Sequence, residues 1–547
     1  MGPSSAEKQE PSVAESSGSQ NSDGIKRSAN GLRLEPQPSD DPRDPLNWPL
    51  SKKLLTLGIV SFAAFIGIAQ ALANQAGIVV QGEVYDKTAT QMAFSISAAI
   101  AGLATGPFLW SALALKFGRS SVIFWALLIN LCINIWSACM TQRDQYNAFI
   151  VSRWLSVFTL QLCANVHRIP ADTLLGSGGT FGSAPSTIGA GIVIDLFFLH
   201  QRGRAFAIYT LCTLFGTQVG GTLSGFISAT APRPVQFWWT VGALGLVCIL
   251  VFTSLEDTAF DREGCASPNL GQGYLQGRVA TFFPGTRVVQ NKAKRHGPLD
   301  PIIIGVQPVT LLAGLFLTIT FAWAVAVTTL LSVFLQEPVE IGGYGLSPLA
   351  NANITFSQWI GLAVAEVYGL LFNDRLPLWR CRRNGGIWRP KFRLYPILLP
   401  NIMILPVALG IFGAALQYHL HYMVLAFAVA LLNVVETSLV PVIINYVCES
   451  FVSYSQEVAT ALNFYRLILG LTVTFYINPW AAKVGPGWTF GMMAFFSLIG
   501  FSFTLILAWK GQVIRQWSAA KYQLSEDGDA LFAERRTEER LESSVKE

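Results

Sequence analysis

The strongest constraint on this chain is a set of twelve apolar stretches arranged as two groups of six. A charged interval from Glu256 to Gln307 separates the groups. A helix that crosses a lipid bilayer needs about 20 mostly apolar residues, and each stretch approaches that length. The sequence therefore predicts an all-α integral membrane protein with twelve transmembrane helices in two six-helix bundles.

The composition fits this prediction and argues against a soluble nucleic-acid-binding protein. Of the 547 residues, 52% are hydrophobic and 13% are charged, whereas a soluble domain is typically about 25% charged. The net charge of +5 comes with no basic patch interleaved with aromatic residues. Basic residues near membrane spans are typical of orientation signals, so we expect the lipid bilayer, and no nucleic acid, as a partner.

Motifs for metal, cofactor or covalent chemistry are missing from the sequence. The eight cysteines are scattered, without a CxxC pair or a His/Cys cluster. There is also no nucleotide-binding loop and no nucleophile motif. We therefore expect no catalytic residue, no metal and no cofactor, and a protein that is not an enzyme.

The charge pattern divides the chain into five regions. The first is polar and rich in Ser and Pro, which is typical of a disordered tail. We expect a cytoplasmic N-terminal tail, a first six-helix bundle, a cytoplasmic central loop, a second six-helix bundle and a cytoplasmic C-terminal tail, over residues 1–53, 54–255, 256–307, 308–510 and 511–547.

The loops on one side of the predicted membrane hold most of the Lys and Arg residues. Lys116 and Arg119 follow the second span, Arg202 and Arg204 follow the fourth, and seven basic residues lie between 375 and 393. Loops with excess Lys and Arg stay in the cytoplasm. Both termini are therefore predicted to be cytoplasmic, and the plasma membrane is the expected location.

A motif at the end of the second span indicates a family. The segment from Gly106 to Arg119 is GPFLWSALALKFGR, and it resembles the loop 2–3 signature of the major facilitator superfamily, in the form found in the fungal twelve-span drug:proton antiporter branch. Leu115 occupies the position of the signature Asp. The resemblance implies a charge-relay latch at this loop, and here the latch lacks its usual acid.

Further segments resemble the same branch in the same order. Asp374 and Arg375 follow the eighth span and supply the acid and base of the related latch in the second half. The other segments are Asp44–Pro49, Asp195–Gly203, Asn463–Arg466 and Ile477–Trp480. Together these marks extend from Asp44 to about Trp488.

The fifth span carries a row of glycines at Gly216, Gly220 and Gly225. The antiporters of the resembled family carry a related glycine motif with a proline, which this chain lacks. Small residues let membrane helices approach closely. The row has two interpretations, a helix-packing stripe or an antiport-specific element.

Polar residues inside the spans are candidates for a substrate or proton pathway, because burying them in lipid is costly. Glu436 in the tenth span either binds a proton, offsets a cationic substrate, or forms a structural hydrogen bond. Arg153 resembles the family arginine implicated in proton movement. Arg466 is predicted to fix helix packing or a salt bridge. The remaining candidates are Glu366, Gln358, Trp359, Asn463, Gln218 and Asn74.

The fourth span, placed at 146–165, is irregular. Residues 156–174 interrupt the family pattern and include His167, Arg168 and Asp172, which a lipid-facing helix would not hold. Removing them would restore one continuous span ending near Asp195. The segment is either a real re-entrant or extruded loop, or the product of an unspliced intron.

The resemblance implies a monomeric transporter that exports a small organic compound in exchange for protons. The predicted mechanism is alternating access, with the substrate near the bilayer midplane. Proton-coupled or passive uptake of a polyamine-like or other cationic solute is one alternative. A membrane sensor that does not transport is another. The sequence does not identify the substrate.

Overall fold

A computed structural model describes the protein at 38–39, 41, 44–155, 182–232, 234–258, 279, 282, 299–339, 343–373, 375–383, 390–451 and 454–522. This described part contains α, 3-10 and π helices and no β-strand. Seventeen α-helices are numbered here in chain order. They are α1 Leu50–Ala69, α2 Ile78–Tyr85, α3 Ala89–Phe117, α4 Arg119–Cys139, α5 Tyr146–Leu155, α6 Ala184–Leu196, α7 Leu199–Thr230, α8 Val235–Ser254, α9 Asp300–Gly305, α10 Pro308–Gln336, α11 Pro348–Ile354, α12 Phe356–Tyr368, α13 Arg375–Arg383, α14 Leu405–Gln417, α15 Tyr422–Cys448, α16 Ser455–Val484 and α17 Pro486–Tyr522.

The helices confirm an all-α membrane fold. In the described ranges, nine helical segments are long and apolar enough to cross a membrane. A tenth is α16, which bends by 52° between Val473 and Phe475. Pro479 lies inside this helix and cannot bond the Phe475 carbonyl, which favours a bend there. The expected fifth span corresponds to α7, which is not among these ten segments. The expected fourth span falls on α5 and α6, and the residues between them lie outside the described part.

The helices form two bundles. In the first, α1 packs against α6 and α7, and α4 packs against α8. In the second, α10 packs against α16, and α14 packs between α15 and α17. Each bundle has its own apolar core. Large apolar side chains also point outward, including Ile249 and Phe495, 62% and 64% exposed, as expected for helices that face lipid.

The bundles have two ends, which we call the tail side and the far side. Leu50 of α1 lies on the tail side, where Lys52 pairs with Glu256 at 2.6 Å. The start of α4 and the end of α6 meet on the same side through the Arg119–Asp195 ion pair. The far side carries the connections between α1 and α3 and between α10 and α11.

The expected central loop is partly attached to the first bundle. Phe282 is fully buried there, and its carbonyl accepts hydrogen bonds from Trp125 Nε1 at 2.6 Å and Ser121 Oγ at 3.0 Å. Helix α9 also falls inside this interval. At the C-terminal end, α17 continues to Tyr522, beyond the boundary expected at 510.

The fourth span of the first bundle has two described pieces, α5 and α6. The Gln70 carbonyl accepts a hydrogen bond from Arg153 of α5 at 3.0 Å. Gly182, two residues before α6, lies against the Gln70 side chain. Both pieces therefore approach the same point on the first span. The insert at 156–174 lies outside the described residues.

Candidate substrate and proton pathway

Glu436 lines a small cavity in the second bundle. It lies about four helical turns into α15. The lining is mostly apolar and comes from α10, the start of α14 and α15 itself, with Thr320 as the other polar side chain. A carboxylate here is expensive to ionise unless a cation compensates it, so its charge depends on the neighbouring helix.

A cation close to this cavity is Arg466 of α16, because Phe321 both lines the cavity and packs against the Arg466 guanidinium. Its guanidinium lies 4.8 Å from the centroid of the Phe321 ring. One Nη atom donates to Asn463 Oδ1 at 2.9 Å. No ion pair within 4 Å joins Arg466 to Glu436 in the structure described here. Sequence reasoning favoured a packing or salt-bridge role for Arg466, and the structure places it next to the candidate acid.

Arg153 has a different environment in the first bundle. Its side chain is fully buried and donates to the Gln70 and Ala71 carbonyls at 3.0 and 2.6 Å. Helix α1 ends at Ala69, and carbonyls near the C-terminal end of a helix attract a cation. The Gln70 carbonyl accepts from the Ala73 N–H as well as from Arg153. The guanidinium also lies 5.4 Å from the Phe237 ring centroid. These contacts join the fourth span to the end of the first.

Several candidate residues join the two bundles. Gln218 Nε2 of α7 donates to Asn433 Oδ1 of α15 at 2.8 Å, one turn before Glu436. Trp359 Nε1 of α12 donates to Thr222 Oγ1 of α7 at 2.9 Å. Asn463 Nδ2 of α16 donates to the Leu103 carbonyl of α3 at 3.0 Å. These three candidates therefore lie on the surface between the bundles.

The other candidates divide between the bundle interface and a single bundle. Gln358 lines a second small cavity between the bundles, together with Gln75, Thr328 and Thr355. Asn74 is fully buried and donates to Ser95 Oγ at 2.7 Å, a contact within the first bundle. Glu366 is half-buried on α12 and lines neither cavity.

The cross-bundle hydrogen bonds are more numerous toward the far side. The Ala76 carbonyl accepts from Gln336 Nε2 at 3.1 Å and from Asn351 Nδ2 at 3.3 Å. Gln75 Nε2 donates to the Thr328 carbonyl at 3.0 Å. On the tail side, Gln456 Nε2 is 3.5 Å from Ser111 Oγ. In the described ranges, the bundles are therefore held together more firmly at the far side.

The glycines of α7 are packing contacts. A Cβ atom at Gly216 would lie 2.6 Å from the Phe65 carbonyl oxygen, and one at Gly220 would collide with the Ala69 carbonyl oxygen, both on α1. Gly225 faces the other bundle, where a Cβ would lie 2.8 Å from Ala352 Cβ. The row therefore supports helix packing, within the first bundle and across the interface.

Ion pairs occupy equivalent places on the tail side of the two bundles. Arg119 at the start of α4 pairs with Asp195 near the end of α6, so Asp195 supplies an acid although Leu115 does not. Arg393, before α14, pairs with Glu449 just after α15. Gly106 is buried in α3. Arg375 is exposed at the start of α13, and Asp374 lies outside the described residues.

Sequence reasoning missed three partners of the residues it selected. Asn433, Thr222 and Asp195 each complete a contact described above. Asn433 lies one turn from Glu436, and this spacing could have indicated a shared helix face. The other two meet their partners only through tertiary packing.

Comparison with known proteins agrees with this architecture. No family model matches the sequence. The chain is 24% identical over 493 residues to the efflux pump radE of Floropilus chiversii, covering 87% of this chain and 83% of that protein. It is also 24% identical to the MFS transporter cpaT of Aspergillus oryzae, covering 89% and 92%.

Solved structures with a similar fold are also transporters. The proton:xylose symporter XylE aligns with a TM-score of 0.55 at 13% identity, over 85% of this chain and 96% of that one. The peptide transporter POT aligns with a TM-score of 0.55 at 15% identity, over 85% and 95%. At such identities the likeness establishes the fold alone.

The chain is therefore a multi-pass membrane protein with the fold of major facilitator superfamily transporters. In sequence it resembles fungal MFS-type transporters, one of them named an efflux pump, which confirms the resemblance indicated by its motifs.

Proposed function

We propose that this protein is a monomeric exporter of a small organic compound, such as a drug, toxin or secondary metabolite, and that it works by proton antiport. The observation that carries the proposal is the position of Glu436. It is a carboxylate inside a span, it faces a cavity, and its cation is near without forming a close ion pair. A group in this setting can gain and lose a proton as the cavity changes.

The arrangement of the bundles supports alternating access. The substrate would bind between them near the midplane, where Gln218, Trp359 and Asn463 make cross-bundle hydrogen bonds. Movement of one bundle against the other would break these bonds on one side at a time. With the basic loops in the cytoplasm, the tail side is the cytoplasmic side and the far side is extracellular.

The similarity to a named efflux pump supports export over uptake. The relative from Floropilus chiversii is named an efflux pump, and other relatives are named MFS-type transporters. Release of a proton from Glu436 toward the cytoplasm as substrate binds would then drive export. The proposed location is the plasma membrane, with both termini in the cytoplasm.

Transport into vesicles with an imposed pH gradient tests this function. Movement of a panel of organic compounds opposite to the proton is expected. Movement in the same direction as the proton would instead support uptake of a cationic solute, and no movement under any gradient would support a sensor.

Glu436→Gln is expected to abolish gradient-driven transport while keeping the side chain's shape. Glu366→Gln is the matched control, because Glu366 lines neither cavity, and it should keep most of the transport. Unchanged coupling in the Glu436 variant would reject the role of this carboxylate.

A further inference from the structure

Helix α3 contains a proline that changes which carbonyls are available to the opposite bundle. Pro107 lies inside α3 and has no backbone N–H, so it cannot bond the carbonyl four residues earlier. That carbonyl belongs to Leu103. A buried carbonyl without a donor costs free energy, so Leu103 needs a partner from outside its own helix.

The partner is Asn463 of the second bundle. Asn463 Nδ2 donates to the Leu103 carbonyl at 3.0 Å, and Asn463 Oδ1 accepts from Arg466 at 2.9 Å. An amide has one oxygen that accepts and one nitrogen that donates. Arg466 therefore holds the amide in the orientation that directs its N–H toward α3.

Arg466 is placed between two acceptors. One is the Asn463 oxygen that it contacts in this structure, and the other is the Glu436 carboxylate, whose cavity is lined by the Phe321 ring that Arg466 packs against. The other elements that line the cavity contribute Leu317, Thr320 and Phe321 from α10 and Leu405 from α14, none of which titrates. Helix α12 also packs against α15 and carries Glu366, which does not line the cavity. Arg466 is thus the cation placed to sense whether Glu436 is ionised.

We propose that Asn463 and Arg466 are positioning residues that couple the charge of Glu436 to the hydrogen bond between α3 and α16. When Glu436 is protonated, Arg466 stays on Asn463 and the bond to Leu103 is kept. When Glu436 loses its proton, the carboxylate attracts Arg466, the amide loses its orientation and the bond weakens. The inference rests on the proposed function, because it uses Glu436 as the proton acceptor.

A double-mutant cycle on the full-length protein measures the coupled bond directly. Pro107→Ala gives residue 107 an N–H that competes for the Leu103 carbonyl, and Asn463→Leu removes the donor. The apparent Tm of the wild type, both single variants and the double variant is measured at mildly acid and mildly alkaline pH. The two changes should be non-additive at acid pH and additive at alkaline pH.

The matched control is Pro479→Ala, which gives residue 479 of α16 a backbone N–H. Its effect should add to that of Asn463→Leu at both pH values. A pH-independent coupling between Pro107 and Asn463, or equal coupling with Pro479, would overturn the inference.

Arg466 variants separate positioning from simple packing. In Arg466→Gln the pH dependence of the coupling should disappear, and Arg466→Lys, which keeps the charge, should restore part of it. If Arg466→Gln keeps the full pH dependence, the inference fails.

The Glu436 variant separates this inference from the proposed function. If Glu436→Gln abolishes gradient-driven transport while the coupling between Pro107 and Asn463 does not depend on pH, the proposed function stands and this inference alone is rejected. If that variant transports normally, the proposed function itself fails.

Discussion

The fourth spans of the two bundles show how one position in a repeated fold can serve two purposes. In the first bundle, Arg153 is fully buried and bonded to two backbone carbonyls. In the second, Glu436 faces a cavity and has its cation at a distance. A buried charge with fixed partners stabilises one state, whereas a charge beside an empty space can change its state. The comparison agrees with a structural role for Arg153 and with the proton-coupling role proposed above for Glu436.

The two spans also differ in continuity. Helix α15 runs unbroken from Tyr422 to Cys448, whereas α5 and α6 are separate described pieces that both approach Gln70. Deletion of 156–174 leaves seven residues between Leu155 and Gly182, enough for roughly 12 Å of helix.

Deletion of 156–174 has the largest expected effect, because it makes the first bundle's fourth span continuous like the second's. We expect a clear rise in the yield of monodisperse protein, measured by size-exclusion chromatography of a fluorescent fusion. A deletion of equal length within 260–278 is the control. A fall in yield would show that the segment is a real part of the fold. Sequencing should then find its codons in the mature transcript.

Arg153→Met tests the structural role of Arg153 in the first bundle. Two charge-assisted bonds to buried carbonyls are lost, so the free energy of unfolding should fall by about 3 kcal/mol, read as a lower apparent Tm in detergent. Glu436→Gln should leave the Tm unchanged or raise it, because it removes a costly charge. A larger loss of stability in the Glu436 variant would reverse the two assignments.

Gly220→Ala tests the close approach of α7 and α1 within the first bundle. The new methyl group would meet the Ala69 carbonyl, and overpacking of this kind costs about 1–3 kcal/mol. Gly245→Ala on α8 is the matched control, since a Cβ there meets no atom within 4 Å. Equal Tm values for the two variants would contradict the packing role of the glycine row.

The smallest expected effect is the difference in stability contributed by the two tail-side ion pairs. The Arg119–Asp195 side chains are 17% and 14% exposed, against 29% and 25% for Arg393 and Glu449. Solvent screens the second pair more strongly. Asp195→Asn should therefore lower stability by about 1 kcal/mol and Glu449→Gln by less, both measured by thermal unfolding. The opposite order would show that exposure does not govern these pairs.

The sequence predicted the parts of this protein that depend on composition along the chain. Length and hydropathy indicate the spans, and the motifs indicate the superfamily that the chain resembles, because both are local properties. It also selected Glu436, since an acid within an apolar run is visible without a structure. It could not show that Asp195 faces Arg119, or that Arg466 lies between Asn463 and Glu436, because those contacts arise when separate helices pack. Sequence reasoning could have found the Leu103 carbonyl, since a proline inside a helix removes the N–H that would bond the carbonyl four residues earlier.

The burial of Phe282 has a consequence for how the halves of the protein can be separated or extended. Since this residue is fixed in the first bundle, the connection to the second bundle begins after it and leads to α9. A reporter domain inserted just after Phe282 would leave that anchor in place. One inserted between Ser254 and Phe282 would have to bridge two points held on the same bundle. Protein engineers who split this chain into co-expressed halves should therefore cut on the C-terminal side of Phe282.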